Sequence, residues 1–169
     1  MLHDAKKMAN ALNDAEEYPV RDWDALKIPK KHGIYMFSEG GRRLYIGSAT
    51  GSSGIRGRLH TQVYPTRIHP KEGPWTVENP PPKSVRDARN LLFHVLVEDN
   101  NGHAPKPARE SPWWPKKEDI GTLNKAFERI HKMTVRWVAA PQDNPDPKNT
   151  AIRAEHCAIC LLQPKYVAK

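Results

Sequence analysis

Long hydrophobic runs are missing from this chain of 169 residues, and so is the cysteine content of a disulfide-stabilised protein. No run of 18 apolar residues occurs, which argues against a membrane-spanning helix. Residues 1–30 lack the apolar core and the small-residue cleavage site of a secretory signal. The two cysteines, Cys157 and Cys160, stand three apart and do not make a disulfide framework. We therefore expect a cytoplasmic protein that does not insert into a membrane.

Acidic residues are too few to balance the basic ones. The chain has 27 lysines and arginines against 19 aspartates and glutamates, a formal net charge of +8 at pH 7. Residues 1–30 contain six acids and five bases, so the positive excess lies in the remainder. Such an excess on a small domain indicates a polyanionic partner, most often a nucleic acid, although a solvated basic surface has the same composition.

The length suits one domain with a core of its own. The 16 prolines and a mean hydropathy of −0.75 predict long loops, while five tryptophans, five tyrosines and three phenylalanines remain to build the core. We expect a single domain over residues 1–169, with a helical arm at residues 1–30 and a proline-rich insertion at about 64–115.

Residues 33–47, which read GIYMFSEGGRRLYIG, predict a β-hairpin because two apolar runs flank a glycine pair. Its loop decides where Tyr35 and Tyr45 point. A two-residue loop at Gly40–Gly41 sends the two tyrosines to opposite faces of the sheet. A three-residue loop at Glu39–Gly41 pairs Tyr35 with Tyr45 on one face, and this is the register that we expect.

Apolar periodicity predicts the other elements. They are a helix over residues 3–17, a helix from about 53 to 64, a helix turning into a strand over 84–99, a helix over 118–131, a strand over 134–139, and a last helix over 151–162 capped by Asn149 or Thr150. The fold class that follows is α/β, a small three-stranded antiparallel sheet flanked by helices.

Five side chains are candidates for chemistry: Tyr35, Tyr45, Arg58, His60 and Glu155. Glu155 falls between Ile152 and Ile159 on the stripe of the last helix that we expect to be buried. A buried carboxylate is costly unless it is paired. Either it forms an ion pair with Arg56 or Arg58, or it is a metal ligand at the edge of the sheet.

The order of these residues resembles that of the GIY-YIG nuclease family. The matching features are Gly33-Ile34-Tyr35, Tyr45-Ile46-Gly47, Arg58 on the following helix, and Glu155 on a C-terminal helix that ends in Leu162-Gln163-Pro164. Both tripeptides are present letter for letter, and the likeness covers about half of the chain. The resemblance implies that both tyrosines face Glu155 from one side of the sheet.

The resemblance also implies an activity: an endonuclease that hydrolyses phosphodiester bonds of DNA, of a small stand-alone restriction, defence or phage type. Glu155 would hold one divalent cation, Mg²⁺ or Mn²⁺. Arg58 would stabilise the charge that develops on the phosphate. Tyr35 would act as general base on the water or merely orient it, and Tyr45 would orient or bind the phosphate. RNA satisfies the same chemistry as DNA.

The chain departs from the family pattern at two positions. Many members have a histidine four residues after the arginine, where this chain has Gln62. Because Arg56 and His60 have that spacing, Arg56 is the rival of Arg58 for the catalytic role. Val167 stands where members often carry an asparagine. Weaker nucleic-acid contacts are expected from Arg56, His60, Gln62 and Lys165.

The insertion at about 64–115 interleaves basic residues with tryptophans. Such loops either follow a nucleic-acid backbone or plug the core. The alternative hypothesis is that the whole chain is a nucleic-acid-binding module that retains the fold without catalysis.

Overall fold

The computed structural model describes residues 2–21, 28–60, 62, 91, 95 and 120–166. These residues belong to two compact units, one formed by residues 1–60 with 133–169 and the other by residues 61–132. The predicted insertion at about 64–115 lies outside the described residues, apart from Leu91 and Val95. Among the described residues, none of the helices has the length and apolar character needed to cross a bilayer.

The larger unit is built on a four-stranded sheet in which all neighbours are antiparallel. Its strands are β1 (Tyr18–Pro19), β2 (Gly33–Glu39), β3 (Arg42–Ala49) and β4 (Thr134–Ala139), in the spatial order β1-β4-β2-β3. The α/β class is confirmed, whereas the prediction of three strands is wrong by one. Strand β1 is only two residues long and therefore has no alternating pattern to find. Its proline is tolerated because β1 lies at the edge of the sheet.

The helices are α1 (Leu2–Asp14), α2 (residues 54–60), α3 (Ile120–His131) and α4 (Pro147–Leu162). The predicted first helix begins one residue too late and ends three residues too late, because the chain leaves α1 at Asp14 in order to enter β1. The predicted helix from about 53 to 64 corresponds to α2, with Gln62 also helical. Residues 22–27 lie outside the described part.

The β2–β3 loop contains two residues, not the expected three. Glu39 pairs with Arg42, so Gly40 and Gly41 form the whole connection. Their φ angles are 56° and 78°, in the left-handed region. Two consecutive residues with positive φ make a type I′-like turn, whose twist matches that of the strands.

A β-bulge next to this turn changes the register of β2 and β3, and with it the face on which Tyr45 lies. The register shifts between Phe37 and Ser38, so that Phe37 pairs with Tyr45 and Tyr35 pairs with Gly47. The predicted pairing of Tyr35 with Tyr45 is therefore wrong. The expected outcome is nevertheless found, because one extra residue on β3 restores the parity and places both tyrosines on one face.

The opposite face of the sheet packs against α1 and α4. Its buried cluster consists of Ala5, Met8, Ala9, Leu12, Ile34, Met36, Ile46, Ala140, Ala154, Ala158 and Leu162. The four α1 positions in this cluster are those with i, i+3, i+4, i+7 spacing in the sequence, and their burial confirms that prediction.

Helix α4 begins earlier than predicted. Asp146 is its N-cap, and the Asp146 carboxylate accepts a hydrogen bond from the Asn149 backbone N–H at 3.2 Å. Pro147 follows at the first helical position, where its missing N–H costs nothing. At the other end Gln163 adopts a left-handed conformation with φ 47°, and its N–H donates to the Ile159 carbonyl at 3.0 Å.

The buried side of α4 also differs from the prediction. Its buried residues are Thr150, Ala151, Ala154, Ala158 and Leu162. Ile152 and Ile159 are only partly buried. Small side chains face the sheet because they let α4 approach it closely, and the larger isoleucines lie at the margins.

The smaller unit contains α3, whose predicted range of 118–131 agrees with its bounds. Ala126, Phe127 and Ile130 of this helix are buried. Leu91 and Val95 are both helical and buried, so the predicted turn from helix to strand is wrong at Val95.

We expect Gly41→Ala to lower the free energy of unfolding by about 1–2 kcal/mol, because a Cβ is unfavourable at its φ of 78° although the space around it is open. Gly51→Ala is the matched control, since a Cβ there also meets open space but the φ is not positive. It should leave stability unchanged or raise it by up to about 1 kcal/mol. Equal effects of both changes in chemical denaturation would contradict the turn geometry.

Candidate active site

The start of α2 is fastened to the segment that leads into β2. The Ile55 N–H donates to the Lys31 carbonyl at 2.9 Å, and the Arg56 N–H donates to the Pro29 carbonyl at 3.1 Å. Gly54 has a φ of 56°, and a Cβ there would lie 2.4 Å from the Lys31 carbonyl oxygen. The chain therefore needs a glycine at this position in order to enter α2 against the sheet.

The two tyrosines lie side by side on the face of the sheet opposite α1 and α4. Their ring centroids are 6.2 Å apart with a 40° angle between the planes. Tyr35 is completely buried and Tyr45 is 2% exposed. Phe37 meets the Tyr35 ring edge-on, with the centroids 5.8 Å apart. The rings are consequently held in place by packing.

Gly47 explains how the Tyr35 ring fits across the hairpin. A Cβ at Gly47 would lie 2.5 Å from the Tyr35 hydroxyl oxygen and 2.6 Å from its Cζ. The Tyr35 ring therefore occupies the space that a side chain on β3 would need. The glycine of the second tripeptide has a packing role that the sequence alone did not reveal.

Arg58, one turn into α2, is half-buried beside both phenols. Burial by itself lowers the pKa of Arg58, but the phenols of Tyr35 and Tyr45 together with Glu155 raise that pKa above its usual value. The Arg58 Nε is buried and has no hydrogen-bond partner among the described residues.

Arg56 is directed elsewhere. It is exposed, and its Nε donates to the Ile28 carbonyl at 2.7 Å. The charge of Arg58, not that of Arg56, acts on the two phenols. Of the two rival arginines, the geometry brings Arg58 to the tyrosines.

Both phenols have pKa values above the ordinary value of about 10. Burial is the main cause for Tyr35, Arg58 opposes it, and Glu155 adds to it. For Tyr45 the causes are burial, then the neighbouring Tyr35 and Glu155, again opposed by Arg58. Both side chains are therefore neutral hydrogen-bond donors near neutral pH. The Tyr35 hydroxyl, although near Arg58, has no partner with hydrogen-bond geometry within the described residues.

Glu155 completes the cluster from α4. It is half-buried next to Ala154, and its charge acts on Tyr35, Tyr45 and Arg58. The ion pairs found among the described residues do not join it to Arg56 or Arg58. The tyrosines share one face as expected, but α4 packs on the other face. The expectation that both tyrosines face Glu155 from one side of the sheet therefore stays a prediction, supported by the effect of the Glu155 charge on both phenols.

The segment after α4 protects the edge of β3. The Lys165 N–H donates to the Arg43 carbonyl at 3.1 Å, and the Tyr166 N–H donates to the Leu44 carbonyl at 2.7 Å. Tyr45 and Tyr166 form a parallel bridge. Lys165 is exposed, with its Nζ 5.4 Å from the Tyr166 ring centroid.

The other residues that we expected to contact nucleic acid have different surroundings. His60 is exposed on α2, whereas Gln62 belongs to the smaller unit, where it is buried and its Oε1 accepts from the Leu91 N–H at 3.4 Å. Val167 lies outside the described residues. The sequence-based reading missed Trp137, which is directly opposite Tyr35 across β2 and β4 and is half-buried. The signal in the sequence that could have found Trp137 is its position in the alternating pattern of β4.

The number of possible ligands in this site limits which metal ion it could hold. Over the described ranges, no group of three or more histidines, cysteines, aspartates or glutamates is arranged to hold a metal ion. A structural zinc site needs four such ligands. Mg²⁺ instead keeps several waters and is bound through one or two carboxylates together with substrate phosphates. A lone Glu155 fits this sparse coordination, for Mg²⁺ or Mn²⁺. Cys157 and Cys160 are free thiols.

Comparison of the chain with models of protein families, with curated proteins and with solved structures finds no match. The likeness to GIY-YIG nucleases therefore depends on the two tripeptides, Arg58 and Glu155 and on their arrangement. The geometry alone defines a class of site: two buried neutral phenols, a half-buried arginine and a carboxylate close enough to act on one another.

We expect the raised pKa of Tyr35 to make stability fall in alkali. The unfolded phenol titrates near pH 10, whereas the buried phenol titrates later, so the stabilisation is complete below pH 10 and is lost as the pH rises through the folded value. Tyr35→Phe should make this fall less steep in denaturation curves recorded at a series of pH values. Equal slopes in the variant and the wild type would contradict the burial of the Tyr35 hydroxyl.

Proposed function

We propose that this chain is a divalent-metal-dependent endonuclease of the GIY-YIG type that hydrolyses phosphodiester bonds of DNA. The observation that supports it most is the clustering of Tyr35, Tyr45, Arg58 and Glu155, which come from β2, β3, α2 and α4. The cluster contains two buried polar atoms without partners among the described residues, the Tyr35 hydroxyl and the Arg58 Nε. Unsatisfied buried groups cost stability, and they are common where a substrate is to be bound.

Arg58 suits the stabilisation of a phosphoryl transition state. Its guanidinium offers a planar pair of donors that matches two phosphate oxygens. Its partial burial keeps competing water away, so each hydrogen bond to the developing charge is worth more than in water. No described residue engages its Nε, so this donor could bind a phosphate oxygen.

The phenols act in this proposal as neutral donors. Because burial raises the pKa of Tyr35, a phenolate that could take a proton from water is disfavoured at neutral pH. Of the two roles that the resemblance allows for Tyr35, orientation of the attacking water fits this environment and general base does not. Burial also raises the pKa of Tyr45, which would donate a hydrogen bond to a phosphate oxygen beside it.

Glu155 is the residue that would hold Mg²⁺ or Mn²⁺. The chemistry that such a cation supplies when bound is polarisation of the phosphate and neutralisation of charge on the leaving oxygen. Glu155 also favours catalysis over the alternative of a binding module. A carboxylate beside Arg58 would repel a phosphate backbone unless a cation bridged the two, so a module selected only for binding gains nothing from it.

The positive net charge of +8 supports a nucleic acid as substrate. DNA is the substrate that we propose, and RNA is the alternative to be tested beside it. A non-catalytic nucleic-acid-binding module is the second candidate function, because charge and fold would also serve binding alone.

Plasmid cleavage in the presence of Mg²⁺ tests the proposal. Glu155→Gln keeps the shape of the side chain but removes its charge, and Arg58→Lys keeps the charge but removes the planar fork. Both should lower the cleavage rate by about 10²–10³-fold, the typical loss when one charge-stabilising group is removed. DNA binding in EDTA should persist in both variants.

The matched control for the arginine is Arg153→Lys, at an exposed position on α4, and that for the glutamate is Glu128→Gln, at an exposed position on α3. Both controls should cleave like the wild type. Cleavage that survives Glu155→Gln and Arg58→Lys would show that the site is wrong. A wild type that binds DNA but does not cut it with Mg²⁺ or Mn²⁺ would favour the binding module, and cleavage restricted to RNA would change the substrate class.

A further inference from the structure

A cavity opens at the end of the sheet where β2 begins and where β3 and β4 end. Its volume is about 230 Å³, and its walls are Lys30–His32, Gly51–Ser52, Ala140–Gln142 and Pro147. Backbone hydrogen bonds hold the walls together. The Ala140 N–H donates to the His32 carbonyl at 2.8 Å, and the Gly54 N–H donates to the Gly51 carbonyl at 2.9 Å. The cavity is therefore a product of the fold and not of side-chain placement alone.

The cavity is basic. Lys30, Lys31 and His32 line it in sequence, and none of its lining residues is acidic. No ion pair or hydrogen bond found within the described residues engages these three side chains. The Nδ1 of His32 is moreover buried without a partner there. Lys30 and Lys31 are exposed, so their ammonium groups are accessible to an anion from solution.

The size of the cavity indicates which anion it could bind. Pockets for drug-sized ligands measure about 300–1,000 Å³. At roughly 30 Å³ per water, the 230 Å³ here would hold about eight waters. A phosphate group with part of its hydration shell fits this space, whereas a whole nucleotide does not. Lysine ammonium groups and an imidazole N–H are suitable donors to phosphate oxygens.

The cavity lies close along the chain to the candidate active site. Lys31 precedes Tyr35 by four residues, which corresponds to at most roughly 13 Å of extended chain. A backbone phosphate in the cavity would therefore lie within a few nucleotides of a phosphate at Tyr35. We propose that the basic cavity binds a backbone phosphate of the substrate, within a few nucleotides of the bond that is cut. This assignment rests on the proposed nuclease function.

Binding measured apart from cleavage tests the assignment. In EDTA, the affinity for a short DNA duplex is measured by fluorescence anisotropy over a range of salt concentrations. The variant is Lys30→Gln with Lys31→Gln. The control is Lys6→Gln with Lys7→Gln, which makes the same charge change at exposed positions of α1 that do not line the cavity.

We expect the cavity variant to bind several-fold more weakly than the control. The slope of log affinity against log salt should also be smaller by about one, the value for one lost phosphate contact. Lys30→Arg with Lys31→Arg should restore both quantities because it restores the charge. Binding and slope equal to those of the control would overturn the assignment.

A titration with inorganic phosphate, followed by NMR shifts of the cavity residues, separates the two sources of a phosphate group. Shifts that vanish in the cavity variant, together with weakened DNA binding, support a phosphate of the strand. Shifts that vanish while DNA affinity stays equal to the control mean that the cavity takes free phosphate instead, which overturns the assignment to the strand.

The position is tested with neutral methylphosphonate linkages placed singly along one strand. Wild type should lose affinity at one linkage within a few nucleotides of the cut, and the cavity variant should lose none there. Additive losses at every position would overturn the proposal even if the wild type cleaves normally. If the wild type does not cleave, the proposed nuclease function is wrong. A loss of affinity at one linkage that the wild type shows and the cavity variant does not would still report the phosphate contact.

Discussion

The β2–β3 register is the constraint on which the arrangement of this protein depends. A tight turn with two glycines in the left-handed region would by itself separate Tyr35 from Tyr45, and the bulge after Phe37 reverses that effect. A single extra residue in β3 therefore decides whether two phenols lie together on one face or on opposite faces. Without the bulge, one tyrosine would enter the cluster beneath α1 and α4, and Arg58 would lie beside only one phenol.

The same hairpin sets the electrostatic character of the site. Tyr35 can be fully buried because Gly47, its partner on β3, leaves the space that its ring occupies. Burial then raises the pKa of the phenol and makes it a neutral donor. Arg58 and Glu155 act on that phenol in opposite directions, so its properties depend on elements far apart in the sequence. The Tyr35 hydroxyl and the Arg58 Nε, which have no partner among the described residues, are a cost to folding.

The helices are placed by local chemistry at their first residues. Gly54 permits α2 to begin against the Lys31 backbone, and this contact directs Arg58 to the tyrosines while also shaping the basic cavity. The pair Asp146-Pro147 starts α4, whose alanines approach the opposite face of the sheet. Backbone contacts therefore fix the end of the sheet that bears these two helix starts.

The sequence by itself determined the strands β2, β3 and β4 and the buried stripe of α1, because these depend on local periodicity. It also singled out Tyr35, Tyr45 and Glu155 as candidates, through the hairpin motif and the pattern of the last helix. It did not determine the turn length, the bulge or the two-residue strand β1, because strand pairing is settled by partners distant along the chain. The choice between Arg58 and Arg56 is equally a tertiary matter, since both lie on one helix and only packing shows which one meets the tyrosines. The basic cavity was also beyond the sequence, because its walls come from three loops that only the folded sheet brings together.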